Sequence, residues 1–465
     1  MSQQVDRDTG LTVPHIKVKF GTAGIRGVYG EEVSVKETIA VCYAVHLLLG
    51  EGRFGVGYDT RKTSVVLANM ASAAMNWYGS DVEDYGMIPT PVLAFNIKNS
   101  KLHAGFSVTA SHNPPEYAGV KVFGTDGIEF SLEAEKKIEQ LVQRSVSYTK
   151  EGGLGAFGTS HENGEATNFY INSLLKRFKP GKKSFKILVD CANGTAGNIT
   201  PKILDELGHH VVTVNAHPSE SFPGRMPEPM FETLGEVAAL TRSIRADFAI
   251  AHDGDADRLV MIDDLGKVVP DYALSTLVLR IIAEKVKRGN VIISVNSSNA
   301  MEETALKLGC KVQRSRLGKT FEELYKRKGI FASEPSKMVD PRWGYWEDGI
   351  YTGVLISQYL AENSISLSRA LSGTPMYYNL QRNLHGKSRL NYDEVRSSLQ
   401  SVFRNRVDRF DDLDGVKAYL KGGAWLMIRS SGTENKVRVY VESPNESEAV
   451  FLLEDAVRLA ASCSK

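Results

Sequence analysis

FKILVDCANGTAGNITPKILDELG, residues 185–208, decides the reading of the fold. Ile187, Leu188 and Val189 form a short apolar run, as in a strand buried in a sheet. A turn containing Asn193 and Gly194 ends it, and PKILDELG follows as a helix. The same order recurs along the chain. RADFAIAHDGDADR is a strand that ends in polar residues, and VIISVNSSNAMEETALKLG is a strand, a turn and a helix. Nearer the start, SVKETIAVCYAVHLLLG sets Val35, Ile39, Cys42, Val45 and Leu49 near one helical face, with Gly50 to close it. FGVGYDTRKTS is a strand running into a polar loop, and LEAEKKIEQLVQRS is a helix with Leu132, Ile138, Leu141 and Val142 inward. Alternation of this kind predicts α/β layering with a mostly parallel sheet, built from similar units used more than once.

After about residue 370 the pattern changes. KVRVYVE alternates strictly, with Val437, Val439 and Val441 on one face, as in a half-exposed antiparallel strand. The final helix starts with Asn445 and Glu448 spaced as a capping box and continues through Ala449, Leu452, Leu453, Ala456 and Leu459. The C-terminal part reads as a separate α+β domain. The Gly-rich, polar stretch EGGLGAFGTSHENG sets a boundary near 155. The expected division is 1–155, 156–260, 261–370 and 371–465.

The chain has 465 residues, 42% hydrophobic and 24% charged, with a formal net charge of +1. That balance gives no general attraction to nucleic acid or to an anionic membrane, yet it allows a local basic cleft for a phosphorylated small molecule. Cys42, Cys191, Cys310 and Cys463 are widely separated and lie in or beside apolar runs, so they read as buried thiols in a reducing compartment. No apolar stretch is long enough to span a bilayer, and the polar start MSQQVDRDTG lacks a signal-peptide core. The expectation is a cytoplasmic protein, a monomer or a homodimer.

HDGDADR, residues 252–258, carries the strongest chemistry. Asp253, Asp255 and Asp257 crowd three carboxylates into one loop, and they repel one another unless a cation neutralises them. Hard oxygen ligands suit Mg²⁺ or Ca²⁺, but the EF-hand pattern fails because Arg258 and Asp264 stand where it needs Gly and Glu. The competing reading is a solvated acidic turn, but the following Arg258 adds an anion contact that a mere turn does not need. GFSVTASHNPPEY, residues 105–117, leaves a strand for a hydroxyl, an imidazole, an amide and two prolines. The prolines stiffen the turn, and a stiff turn at a strand end holds one reactive side chain still, here Ser111. Lys121 shortly after it is either a plain surface lysine or a group for proton transfer and charge stabilisation.

RSSGTENKVRVYVE, residues 429–442, offers Arg429, Ser430, Ser431, Gly432 and Thr433 as a phosphate cradle, with an ordinary hairpin loop as the equal alternative. FGTAGIRGVYG sets Arg26 among glycines without the dinucleotide pattern. Gly318-Lys319-Thr320 imitates the end of a P-loop, but Gln313 stands where the motif needs Gly, which excludes it. A basic turn before a helix N-terminus is left, with Arg316 available to a phosphate. FASEPSKMVDPRWGYWEDG, residues 331–349, places Glu334 and Ser336 two apart as acceptors for sugar hydroxyls and its Trp faces as platforms for a sugar ring; a surface loop is the plain alternative.

FGTAGIRG, TASHNP, DGDADR, SEPS and RSSGTE stand in the order and at about the spacing of the α-D-phosphohexomutase family, which the chain resembles over essentially its full length. The resemblance implies three similar α/β domains with mixed sheets and a C-terminal α+β domain around a central cleft. It implies that Ser111 is a phosphoserine, that Asp253, Asp255 and Asp257 with the serine phosphate hold Mg²⁺, and that a hexose 1,6-bisphosphate is intermediate and activator. Arg26, His112, Lys121 and Arg258 would surround the reacting phosphoryl group, with Lys121 for acid/base work. Glu334 and Ser336 would grip the sugar, and Arg429, Ser431, Gly432 and Thr433 the non-reacting phosphate. The expected activity is interconversion of hexose 1- and 6-phosphates, of the phosphoglucomutase/phosphomannomutase kind. Phosphoglucosamine mutase, a non-catalytic sugar-phosphate-binding protein and a Mg²⁺-dependent phosphatase are the alternatives. One departure stands out: many bacterial members read Gly-Glu-x-Ser-Gly-His where this chain reads Ser333-Glu334-Pro335-Ser336-Lys337-Met338, so the histidine has no counterpart.

Overall fold

The computed structural model describes residues 4–5, 12–13, 16–144, 157–286, 288–386, 390–431 and 436–463. It has two compact units: residues 1–269 with 337–339 and 343–370, and residues 270–336 with 340–342 and 371–465.

The first unit holds two mixed sheets. In the first, the order is Ile25–Val28, Tyr117–Gly124, Ala104–Val108, Arg53–Tyr58, Asp81–Met87 and Ser160–Glu162. Ala104–Val108 runs parallel to Arg53–Tyr58 and antiparallel to Tyr117–Gly124. All five residues of Ala104–Val108 are buried, which is why they read as a run rather than an alternation. Helix Val35–Leu49 forms as expected and closes on Gly50 at φ 79°. Its buried face is Thr38, Ala40, Val41, Cys42, Ala44 and Val45, while Leu49 at its end is exposed.

The second sheet has the order His210–Val214, Lys186–Asp190, Phe248–His252 and Leu259–Ile262. The first three strands are parallel and the fourth returns antiparallel, with His252 opposite Leu259. The acidic loop 253–258 is therefore a tight hairpin connection between two buried strands.

Helix Gly349–Asn363 is capped by Asp348, which accepts from the Tyr351 N–H at 2.8 Å. The same buried carboxylate accepts from Tyr170 Oη at 2.8 and 2.9 Å and from Trp343 Nε1 at 2.8 Å. Trp343 stacks on Phe95 and Tyr351 at centroid distances of 5.0 and 5.4 Å, and Trp346 is 4% exposed. Of the expected sugar platforms, Trp346 is thus a core side chain and Trp343 is half-buried in an aromatic stack, and Asp348 accepts from both indole N–H groups.

Burial raises the Asp348 carboxyl from 3.8 to about 6, against the pull of the Tyr351, Trp343 and Tyr170 donors. Because the folded state then binds this proton more readily than the unfolded chain, its contribution to stability is full below pH 4 and lost as pH rises to about 6. In urea unfolding, the stability of the wild type minus that of Asp348→Asn is expected to fall by about 2 kcal/mol between pH 4 and pH 7. A difference independent of pH would refute this.

The second unit pairs a parallel trio, Lys311–Ser315, Asn290–Ser294 and Phe331–Glu334, with a five-stranded antiparallel sheet. The latter runs Tyr378–His385, Lys436–Ser443, Trp425–Ser430, Val416–Leu420 and Val407–Asp411. Val437, Val439 and Val441 face the core under helix Glu446–Ser462, whose cap is Asn445 accepting from Glu448 N at 3.0 Å. The opposite face of Lys436–Ser443 is not half-exposed as expected. Tyr440 and Glu442 are buried, because Val295, Tyr419, Trp425 and Met427 form a second small core there. Glu442 accepts from Trp425 Nε1 and Asn299 N, and Lys417 Nζ donates to Val295 O at 2.7 Å, tying this sheet to the parallel trio.

The four cysteines are free and buried. Among the described residues, no helix is long and apolar enough to cross a membrane.

Candidate active site

Parallel register builds the serine turn. Tyr58 pairs with Val108, so the next residues of both strands emerge side by side, and Asp59 N donates to Val108 O at 3.1 Å. Asp59 Oδ2 accepts from Thr109 Oγ1 at 2.7 Å, and Thr109 Oγ1 accepts from Ser111 N at 2.8 Å. Arg61, 1% exposed, pairs with Asp59 and donates to the carbonyls of Ser111 and Asn113. Ser111 itself sits at φ 51°, a left-handed conformation that is held rather than preferred. Ring-locked Pro114 and Pro115 follow it, as the sequence led us to expect.

Ser111 Oγ donates to Asp253 Oδ2 at 2.7 Å, so the hydroxyl lies directly on the acidic loop. Gly254 makes the approach possible: a Cβ there would lie 2.7 Å from Ser111 O. Lys121, on the strand antiparallel to the serine strand, donates to Asp255 Oδ2 at 2.8 Å and to Asp257 Oδ2 at 2.6 Å. It is 1% exposed, so the plain-surface reading of this lysine is wrong. Thr90 Oγ1 also donates to Asp255, at 2.7 Å. Lys337 Nζ is 3.1 Å from Asp257 Oδ2 and pairs with Glu347 as well. Arg258 donates to Glu228 at 3.2 Å and lies 3.3 Å from His112 Nε2, while His112 Nδ1 is 3.3 Å from Ser111 Oγ. Arg26 reaches Asn113 Oδ1 at 3.5 Å, and its buried Nε and Nη2 have no hydrogen-bond partner among the described residues.

The electrostatics follow from burial and neighbours. Burial, then Asp257 and Asp255, push Asp253 well above the usual carboxylate range. Burial also opposes ionisation of Asp257, but Lys121, Lys337 and Arg258 outweigh it and hold it well below that range. Asp255 is lowered more modestly: burial and Asp257 raise it, and Lys121 prevails. Burial lowers His112 well below its usual value, with Arg258 and Arg26 adding to the effect, so its imidazole is neutral. Lys121 is raised despite burial, by Asp255 and Asp257, and stays charged.

Asp253, Asp255 and Asp257 each offer one oxygen within 4.8 Å of the others. Asp255 Oδ1 and Asp257 Oδ1 are buried with no hydrogen-bond partner among the described residues. Unsatisfied carboxylate oxygens in a dry site cost free energy that a hard divalent cation would recover. The donor set fits Mg²⁺.

In the second unit, Glu334 ends its strand with its carboxylate turned onto the 318–320 turn. Oε1 accepts from Gly318 N, Thr320 Oγ1 and Thr320 N at 2.8, 2.8 and 3.3 Å, and Oε2 from Gly318 N at 2.8 Å. The helix N-terminus expected to face a phosphate is therefore occupied by this carboxylate. Ser336, at φ 60°, donates to Pro335 O. Arg316 is exposed. Arg429 lies 3.5 Å from Asp414, which also accepts from Leu317 N, so the 316–320 turn and the end of strand Trp425–Ser430 come together. Ser431 N donates to Lys436 O in the hairpin reading of this segment, while Gly432 and Thr433 lie outside the described residues.

Sequence reasoning passed over Asp59, Arg61, Thr90, Glu228 and Glu347. For Asp59 and Arg61 a signal existed, because YDTRKTS leaves its strand as TASHNP does. Glu347 carried none.

Four family models of phosphoglucomutase/phosphomannomutase match in succession: domain I at residues 17–149, domain II at 168–266, domain III at 270–377 and the C-terminal domain at 391–460. A probable phosphoglucosamine mutase of Methanopyrus kandleri is 33% identical over 447 residues, covering 96% of this chain and 98% of that protein. A phosphopentomutase of Thermococcus kodakarensis is 35% identical over 440 residues, covering 94% and 96%. The crystal structure of a putative phosphomannomutase from Thermus thermophilus superposes with a TM-score of 0.81 at 26% identity, covering 96% of this chain and 100% of that one. With all four models matched along its length and its serine set on a triad of carboxylates, the chain belongs to the phosphoglucomutase/phosphomannomutase family of intramolecular phosphotransferases.

Proposed function

We propose that the protein interconverts hexose 1-phosphates and hexose 6-phosphates through a phosphoserine at Ser111, with glucose and mannose phosphates as substrates. The observation that carries this reading is the 2.7 Å contact between Ser111 Oγ and Asp253, which sets a nucleophilic oxygen beside a metal-competent carboxylate triad. Asp253, Asp255 and Asp257 are the residues that would hold Mg²⁺, which when bound neutralises charge on the transferring phosphoryl group.

In the forward half-reaction the bond between phosphorus and Ser111 Oγ breaks as a bond forms to a sugar hydroxyl oxygen; the departing serine oxygen takes a proton from the Lys121 ammonium, which is restored by the proton the sugar hydroxyl gives up. The product, a hexose 1,6-bisphosphate, returns its other phosphoryl group to Ser111. Lys121, charged in the resting site, stabilises the departing serine oxygen and is our choice for acid/base work. Arg258 and Arg26 contribute fixed positive charge around the same group, and neutral His112 accepts or donates one hydrogen bond beside Ser111 Oγ. Glu334 and Ser336 orient the sugar. Arg316, Arg429, Ser431, Gly432 and Thr433 take the non-reacting phosphate. These residues are distributed over four successive parts of a cytoplasmic enzyme, 1–155, 156–260, 261–370 and 371–465.

The relatives named as phosphoglucosamine mutase and phosphopentomutase favour a second reading, in which an amino sugar or a pentose is preferred. A side-by-side assay decides. Glucose, mannose, glucosamine and ribose 1-phosphates are each incubated with Mg²⁺ and a catalytic amount of the matching bisphosphate, and product is read by phosphorus NMR. We expect glucose and mannose 1-phosphates to be turned over fastest, with little conversion when the bisphosphate is omitted. Fastest conversion of glucosamine or ribose phosphate would replace the hexose reading with the second. Net release of inorganic phosphate without isomerisation would defeat both.

A further inference from the structure

Asp257 Oδ2 is shared by two ammonium groups, Lys121 at 2.6 Å and Lys337 at 3.1 Å, while its Oδ1 has no hydrogen-bond partner among the described residues. Both lysines are buried, so their charges act on the triad with little screening. A divalent cation bound through Asp257 has to work against those charges. The two lysines differ in what they can give up. Both acceptors of Lys121, Asp255 and Asp257, belong to the triad, so displacing it strands a buried charge. Lys337 bridges Asp257 and Glu347, so it can release Asp257 and stay paired.

Glu347 is a fixed anchor for that retreat. Its neighbour Asp348 is held by Tyr170, Trp343 and the Tyr351 N–H, and Gly349 N donates to Ala256 O in the acidic loop at 3.2 Å. A Cβ at 349 would lie 2.2 Å from Arg258 O, so the segment bearing Glu347 packs directly on the loop bearing Asp257.

We propose that Lys337 is an internal competitor of the divalent cation: ammonium and metal exchange at Asp257, and Glu347 receives the displaced ammonium. The inference rests on the reading of Asp253, Asp255 and Asp257 as metal ligands. It assigns a function to Lys337, in the loop where this chain departs from Gly-Glu-x-Ser-Gly-His.

The test is Mn²⁺ binding to the full-length protein, followed by the electron paramagnetic resonance of free Mn²⁺. Lys337→Met is expected to bind Mn²⁺ about tenfold or more tightly than the wild type, since a unit charge a few Å away is removed. Lys337→Arg keeps the charge and is expected to stay within about twofold of the wild type. Glu347→Gln is expected to weaken binding, because Lys337 is then left to Asp257 alone. Equal or weaker binding by Lys337→Met, with wild-type binding intact, overturns the proposal. Should that variant fail to fold, unchanged binding by Glu347→Gln overturns it equally. If neither the wild type nor any variant binds Mn²⁺, the metal reading itself has failed, an outcome distinct from the other two.

Discussion

Replacing Ser111 with alanine is expected to lower mutase turnover on the order of 10⁴-fold or more, because the group that carries the phosphoryl is gone rather than misplaced. A neighbouring nucleophile, His112 Nδ1, lies 3.3 Å from Ser111 Oγ but has no hydrogen bond to the acidic triad among the described residues. Alanine meets the same backbone demand at φ 51° as serine does, so the fold is expected to persist. The cost to stability is the lost hydrogen bond to buried Asp253, about 1–2 kcal/mol. Two measurements check this together: a coupled assay of the mutase reaction, and mass spectrometry of the protein after incubation with a hexose 1,6-bisphosphate. The wild type should carry one phosphate on the peptide containing Ser111, and the variant none. Turnover retained in Ser111→Ala, or phosphate found on another residue, would end the phosphoserine reading.

Arg61→Met should give the largest loss of stability. The Arg61 guanidinium is buried against Asp59, donates to the backbone of Ser111 and Asn113, and lies 4.8 Å over the Phe222 ring. Methionine fills much of the volume and abandons Asp59 as a buried carboxylate with, among the described residues, only Thr109 Oγ1 and the backbone N–H of residue 61 for partners. Breaking a buried pair from one side costs about 3–5 kcal/mol. The serine turn also loses the two donors that hold its carbonyls. A shift of about 1 Å in a reacting group costs on the order of 10²-fold in rate, so turnover should fall well before the protein unfolds. Arg61→Lys keeps the charge but not the planar fork, and should fall between the two in stability and in rate. Urea unfolding and the assay under folded conditions test both parts. A loss below about 1 kcal/mol would show that Asp59 is satisfied without Arg61.

Much of the fold is legible in single stretches. Ala104–Val108 and Phe248–His252 are buried at every position, and they read as strands because a side chain covered on both faces leaves no reason for polar alternation. Val437, Val439 and Val441 alternate because one side of their sheet packs on the final helix. The candidate site was legible where its chemistry is local. Three aspartates in five residues, or a serine before two prolines, are hard to explain without a cation or a held nucleophile.

What the sequence did not show was non-local. Trp343 and Trp346 look like platforms for a sugar until Phe95, Tyr170 and Asp348 close round them. Glu334 looks like a free acceptor until the 318–320 turn presents its N–H groups to it. Tyr440 and Glu442 look solvent-facing until Trp425 and Val295 cover them.

The sequence by itself determined the kind of the strongly patterned elements and the identity of the acidic and serine loops, since backbone periodicity and the repulsion of neighbouring carboxylates are properties of contiguous residues. Only the tertiary structure decided which loops meet. Parallel pairing of Arg53–Tyr58 with Ala104–Val108 sets Asp59 and Arg61 under Ser111, and the packing of residues 343–349 on the acidic loop sets Glu347 and Lys337 beside Asp257. Those partners are 50 to 142 residues apart in the chain, as between Arg61 and Ser111 or Ser111 and Asp253. No local pattern encodes such a pairing, because it is fixed by which buried strands share a sheet and which charges have no other counterion.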